Sequence, residues 1–229
     1  MSERLIARVK KTLEKQKILI EREITSELEP FLDGIRTIGT TSRDFGLFKE
    51  AYAYFENKYE RKREILRHIL RDAETEFQIS SVKDKIYMLF VYLGTVESVA
   101  NAVVDILVML LVANGRDFHI ECRGYRTPRI RHVASIKDDL EEERVPLGTK
   151  LSFLRENGIK RFTSVVDSEL RNAIAHLKFD IKKNEIFVKG QPAPDIFITS
   201  WLELSIALGT AEKLLNQLAE ERGLIPKKE

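Results

Sequence analysis

Arg171 and His176 stand five positions apart in a stretch whose apolar residues recur with helical spacing. A guanidinium is a permanent cation whose planar fork fits phosphate oxygens. An imidazole exchanges protons near neutral pH. Together the two side chains can hold a phosphodiester and move its protons without a metal ion. On a helix, Val166, Leu170, Ala173 and Ile174 fall on one side and would pack inward. Glu169, Asn172 and His176 gather on another face, with Arg171 on its flank. Asp167 lies one turn before Arg171 and could orient it by an i,i+4 pair. A contact between Glu169 and His176 would favour the charged imidazole. By residue type alone, an Arg and a His on one helix are more often a surface pair or a structural histidine than a catalytic set.

The run Ser168-Glu-Leu-Arg-Asn-Ala-Ile-Ala-His176 resembles the signature of the HEPN superfamily, α-helical domains many of which cleave RNA. That signature is an Arg, four to six residues, then a His, commonly with Asn after the Arg. Here the spacer is four residues, Asn172 to Ala175, and the Asn is present. The resemblance covers residues 80–222 and implies a metal-independent endoribonuclease that needs no cofactor. In that scheme His176 serves as general base or acid around the ribose 2′-hydroxyl and the leaving oxygen. Arg171 stabilises charge on the phosphate, and Asn172 orients the phosphate or the histidine. One histidine per chain does not easily serve both proton transfers, so the resemblance also implies a homodimer with two motifs facing one cleft. RNA is the implied substrate, and defence, toxin–antitoxin action or RNA processing the implied setting, with an antitoxin or other partner protein. HEPN toxins silenced by a nucleotidyltransferase tend to carry Tyr two positions after the His; Lys178 stands there, which puts that control in doubt. The alternative within the family is a catalytically silent dimer that binds RNA or a protein. Outside it, the chain would be a structural helical interaction protein.

A second constellation could support the first. Glu97, Asn101 and Asp105 recur at i, i+4 and i+8 of an otherwise apolar helix, and buried carboxylates require a cation or donors. Arg171 and His176 are candidate partners, with Glu97 the favoured contact; the stripe could instead be the wet side of the helix or a dimer face. For RNA binding, the Arg-rich segment with Arg123, Tyr125, Arg126, Arg129 and Arg131 could grip phosphates and stack a base. Its alternative is salt bridging to the acidic run at 138–143. Arg63, Arg67 and Arg71 form a ridge interleaved with acids, which reads as a solvated face. His119 and Cys122 lack a second ligand pair for zinc, and the chain has neither a phosphate-cradling glycine loop nor a nucleophile elbow.

The elements that must position these groups are helical almost throughout. The chain has 229 residues and a net charge of +2, so a nucleic-acid reading must rest on local clusters. A lone cysteine and a charged start point to a cytoplasmic protein with no disulfide framework. The apolar stretch 86–113 carries Glu97, Asn101 and Asp105, which argues for a buried bundle helix and against a membrane span. The spacing predicts helices over 3–29, 48–77, 81–114, 149–156, from 164 through the motif, and 198–222. The first is expected to break at Pro30, and residues 116–132 to be irregular. After His176 the period changes to alternation, predicting a β-hairpin about Lys183-Asn184. The expected fold is an all-α helical bundle with one short hairpin, residues 1–79 packing on a domain formed by 80–229.

Overall fold

The computed structural model describes residues 3–76, 81–120, 129–130, 145–166 and 168–226. They form an all-α bundle with a small antiparallel sheet near its C-terminal end. Helix α1 spans Glu3–Thr37 and α2 Arg43–Glu76. Helix α3, Val82–Thr95, runs through a π-helical turn at Val96–Ala100 into α4, Asn101–Ala113. Short helices α5 (Leu147–Glu156), α6 (Lys160–Val165) and α7 (Ser168–Ala175) lead to the sheet. The last helix, α8, covers Ala193–Glu221.

Helix α4 is buried along its whole length and forms the axis of the bundle. Val82–Ala113 is apolar enough to cross a membrane, yet here it is mostly enclosed by its neighbours. Around it α2 packs on α4 and α1 on α8. Ile20, Ile24, Leu28, Leu32 and Ile35 give α1 a continuous apolar stripe, all buried. That stripe carries the helix past the break expected at Pro30, which sits inside it. Pro30 forfeits one hydrogen bond and strains a turn, but stopping there would expose Leu32 and Ile35. Arg222 then closes the helix, donating from Nη1 to Arg36 O at 2.9 Å and from Nη2 to Ile38 O at 2.5 Å.

On α2, Phe45, Phe48, Tyr52, Phe55 and Tyr59 form a buried ladder with successive ring centroids 6.4, 6.3, 6.1 and 4.7 Å apart. Its phenols tie α2 to α8: Tyr52 donates to Asn216 Oδ1 and Tyr59 to Glu212 Oε2, both at 2.8 Å. Burial, followed by the charges of Glu56, Glu220 and Glu212, pushes the Tyr52 phenol up to about 12. Burial and Glu212 raise Tyr59 further. Both groups therefore keep their protons where unfolded tyrosines, with pKa about 10, lose theirs. The stability this contributes is intact below about pH 10 and lost as pH climbs from there. Urea midpoints measured at pH 8 and 11 should fall steeply in the parent and less in Tyr59→Phe; equal slopes would show that these phenols do not govern alkaline unfolding.

Near the C-terminal end, β3 (Phe179–Lys182) pairs antiparallel with β4 (Glu185–Val188), and β4 with β5 (Gln191–Pro192). Lys183 and Asn184, with φ of 51° and 65°, make the two-residue turn whose twist matches the strands. Pro192 and Pro194 do not delay α8, which starts at Ala193, because the first helical turn needs no N–H donors. Among the described residues of the segment expected to be irregular, β1 (His119–Ile120) pairs antiparallel with β2 (Arg129–Ile130).

Candidate active site on helix α7

Helix α7 is shorter than its periodicity predicts. The run from 164 is divided, with α6 ending at Val165 and Val166 turning out of helical geometry at φ −81°, ψ 81°. That break lets the adjacent Val165 and Val166 both enter the core. Leu170, Ala173 and Ile174 then seat α7 against α3, the inward face anticipated for the motif.

The C-terminal end of α7 fixes the histidine. His176 N–H bonds to Asn172 O at 3.1 Å, Leu177 N–H to Ile174 O at 3.0 Å and Lys178 N–H to Ala173 O at 2.7 Å. The last two are the crossed bonds of a Schellman ending. Its left-handed position is taken by Leu177 at φ 52°, where glycine is usual. The side chain of Leu177 is also 63% exposed. Leu177→Gly should therefore raise the unfolding free energy by about 0.5–1 kcal/mol, the left-handed cost less the flexibility glycine adds to the unfolded chain. A loss of stability in urea titration would mean that the leucyl side chain holds more than its backbone costs.

Arg171 is held on two sides. Its Nε donates to Glu97 Oε1, and its Nη1 donates to Asn172 Oδ1 at 2.6 Å. Among the described residues none accepts from Nη2, and the guanidinium is partly exposed. The imidazole of His176 is exposed and has no hydrogen-bond or ion-pair partner among the described residues. Glu169 faces the hairpin: it pairs with Lys189, whose ammonium holds the Glu169 carboxyl below the usual carboxylate range. Glu169 thus reaches across to the sheet and not to His176.

The stripe Glu97, Asn101, Asp105 is split. Glu97 reaches Arg171, whereas Asn101 and Asp105 turn inward. Lys150 Nζ donates to Asn101 Oδ1 at 2.5 Å and to Asp105 Oδ1 at 2.6 Å. Lys58 Nζ donates to Asp105 Oδ2 at 3.3 Å and to the Tyr54 hydroxyl at 2.6 Å. Burial works against the Lys58 charge, but Tyr54 and Asp105 outweigh it and raise the ammonium's pKa. The cause of the split is the π-helical turn between Glu97 and Asn101. Its i→i+5 bonding rotates the residues before it relative to those after it. Two hydroxyls favour that turn by taking main-chain acceptors: Thr95 Oγ1 bonds Val91 O at 2.9 Å, and Ser98 bonds Gly94 O.

Arg123, Tyr125, Arg126, Arg131, Asp167 and the acidic run 138–143 lie outside the described residues, and Arg129 is described only as a strand residue. Arg63 is engaged structurally, bonded to Glu212 and placed over the Tyr59 ring at 5.7 Å. Sequence reasoning missed three groups. Lys150 was hidden because a lysine on a short helix gives no sign of burial. The exposed lysines 178, 182 and 183 follow the motif directly. Tyr87 and Phe90 are exposed on α3, and their spacing apart from Leu89 and Tyr92 is the signal that would have revealed them.

As an arrangement, a partly committed guanidinium with donors to spare stands on the same short helix as an exposed imidazole. Such a pair can take a phosphate oxygen and exchange protons with a bound hydroxyl. No family model, curated protein or solved structure matches the chain.

Proposed function

We propose that this chain is a metal-independent endoribonuclease of HEPN type, acting at a cleft formed by two copies. The observation that carries the reading is the Arg171 guanidinium, oriented by Glu97 and Asn172 with Nη2 uncommitted among the described residues, on the helix that ends at the exposed His176. In the reaction one His176 takes the proton of a ribose 2′-hydroxyl, and that oxygen attacks the adjacent phosphorus. The bond to the 5′-oxygen breaks, and the leaving oxygen takes a proton from His176 of the second copy. The products are a 2′,3′-cyclic phosphate and a 5′-hydroxyl. Arg171 stabilises charge on the non-bridging oxygens, and Asn172 keeps the guanidinium aimed.

The test is incubation with labelled single-stranded RNA in excess EDTA, beside Arg171→Ala. Cleavage by the parent with cyclic phosphate ends, lost in the variant, supports the proposal. An RNA that is bound but left intact makes the chain a silent binding module instead.

A further inference from the structure

We infer that the exposed stripe of α3 is a base-stacking track that delivers unpaired RNA to Arg171. The inference rests on the ribonuclease reading and names its substrate class. Lys83, Tyr87, Phe90 and Gly94 recur at intervals of four, three and four residues, and all are exposed. They lie on one face of the helix, whose other face buries Leu89, Val91, Tyr92 and Thr95 in the core. The next residue on the stripe is Glu97, bonded to Arg171. Two aromatic rings, 38% and 44% exposed, therefore stand between a lysine and the proposed phosphate-binding arginine. Gly94 fits this use. A Cβ there would meet nothing within 4 Å, so packing does not demand a glycine. Its absence of a side chain leaves open floor between the Phe90 ring and the guanidinium.

The chemistry favours nucleic acid over a protein face. Two partly exposed rings offer on the order of 150 Å2 of apolar area. A stable protein interface needs about 800 Å2 per partner. Flat π faces flanked by cations suit instead a polyanion whose bases are free to stack. Bases of a duplex are already stacked inward, so the ligand is unpaired RNA. From Lys83 to Glu97 the helix advances about 21 Å, room for a few nucleotides.

The experiment measures anisotropy of a labelled uridine 12-mer and of a hairpin duplex with the His176→Ala chain in EDTA, so that cleavage does not interfere. Phe90→Leu, which keeps apolar bulk but removes the ring, is then added to that background, with Phe90→Tyr as the stacking control. The leucine variant should bind the 12-mer about 5- to 160-fold more weakly, the range for one lost stacking contact. Phe90→Tyr should restore binding, and affinity for the hairpin should change little. Equal affinity of Phe90→Leu for the 12-mer overturns the inference, as does loss of self-association with RNA binding retained, which would make the stripe a protein interface. If stacking is lost as expected but the parent never cleaves RNA, the track stands and the nuclease reading falls. A parent that cleaves while Phe90→Leu binds normally gives the reverse result.

Discussion

Replacing His176 with alanine is expected to lower RNA cleavage by about 10²–10⁴-fold, the usual contribution of a positioned general acid or base. The fold should survive, because the imidazole is exposed and without a partner among the described residues. What His176 gives the structure is its backbone N–H, bonded to Asn172 O at 3.1 Å, and alanine retains it. Thermal unfolding, sedimentation and single-turnover cleavage would be measured on the same preparation. A large drop in Tm would assign the histidine to structure, and unchanged cleavage would remove it from the chemistry. Only activity lost from a folded protein of unchanged assembly state supports the catalytic role.

The largest effect on stability is expected at Asp105. Its carboxylate is wholly buried and accepts from two ammonium groups, Lys150 and Lys58, on two different helices. Asp105→Ala would leave Lys150, itself 1% exposed, as a buried cation with only the amide oxygen of Asn101. Stranding one member of a buried pair costs about 3–5 kcal/mol. Against a total stability of about 5–15 kcal/mol, that is enough to populate the unfolded chain visibly. The double variant Asp105→Leu with Lys150→Met removes both charges and fills similar volume, so most of the loss should be recovered. Urea titration of the parent, Asp105→Leu, Lys150→Met and the double variant gives the coupling directly. A single-variant cost below about 1 kcal/mol would show that solvent reaches the cluster, and would remove it as the link between α2, α4 and α5.

Much of this molecule is legible in its sequence because local chemistry and tertiary structure agree. Lys183-Asn184 between two alternating runs gives the hairpin, and Asn157-Gly158 ends α5 where it should. The inward face of α7 and the Glu97–Arg171 contact follow from helical spacing and the need of a semi-buried carboxylate for a cation. The departures have one common source, tertiary burial overriding a local signal. Pro30 is a breaker only if nothing beyond it needs covering, and Leu32 and Ile35 do. Val165 and Val166 read as continuous helix until both require the core. The fate of Asn101 and Asp105 was unreadable for another reason. Residues at i, i+4 and i+8 give one stripe in any regular helix, and nothing in residue type alone marks the wider turn that parts them from Glu97. Their partner Lys150 comes from a segment 45 positions away from Asp105, a contact no local pattern encodes.

That wider turn has a consequence for how the protein can change. An ordinary helix binds every face to every other, so a surface residue cannot be re-aimed without disturbing the core one turn on. Here α3 and α4 are one rod in two phases. Substitutions along Lys83, Tyr87 and Phe90 change an exposed face, while Asn101, Asp105 and the apolar length of α4 continue to hold the bundle. The exposed face can thus vary on one half of the rod while the scaffold stays fixed on the other.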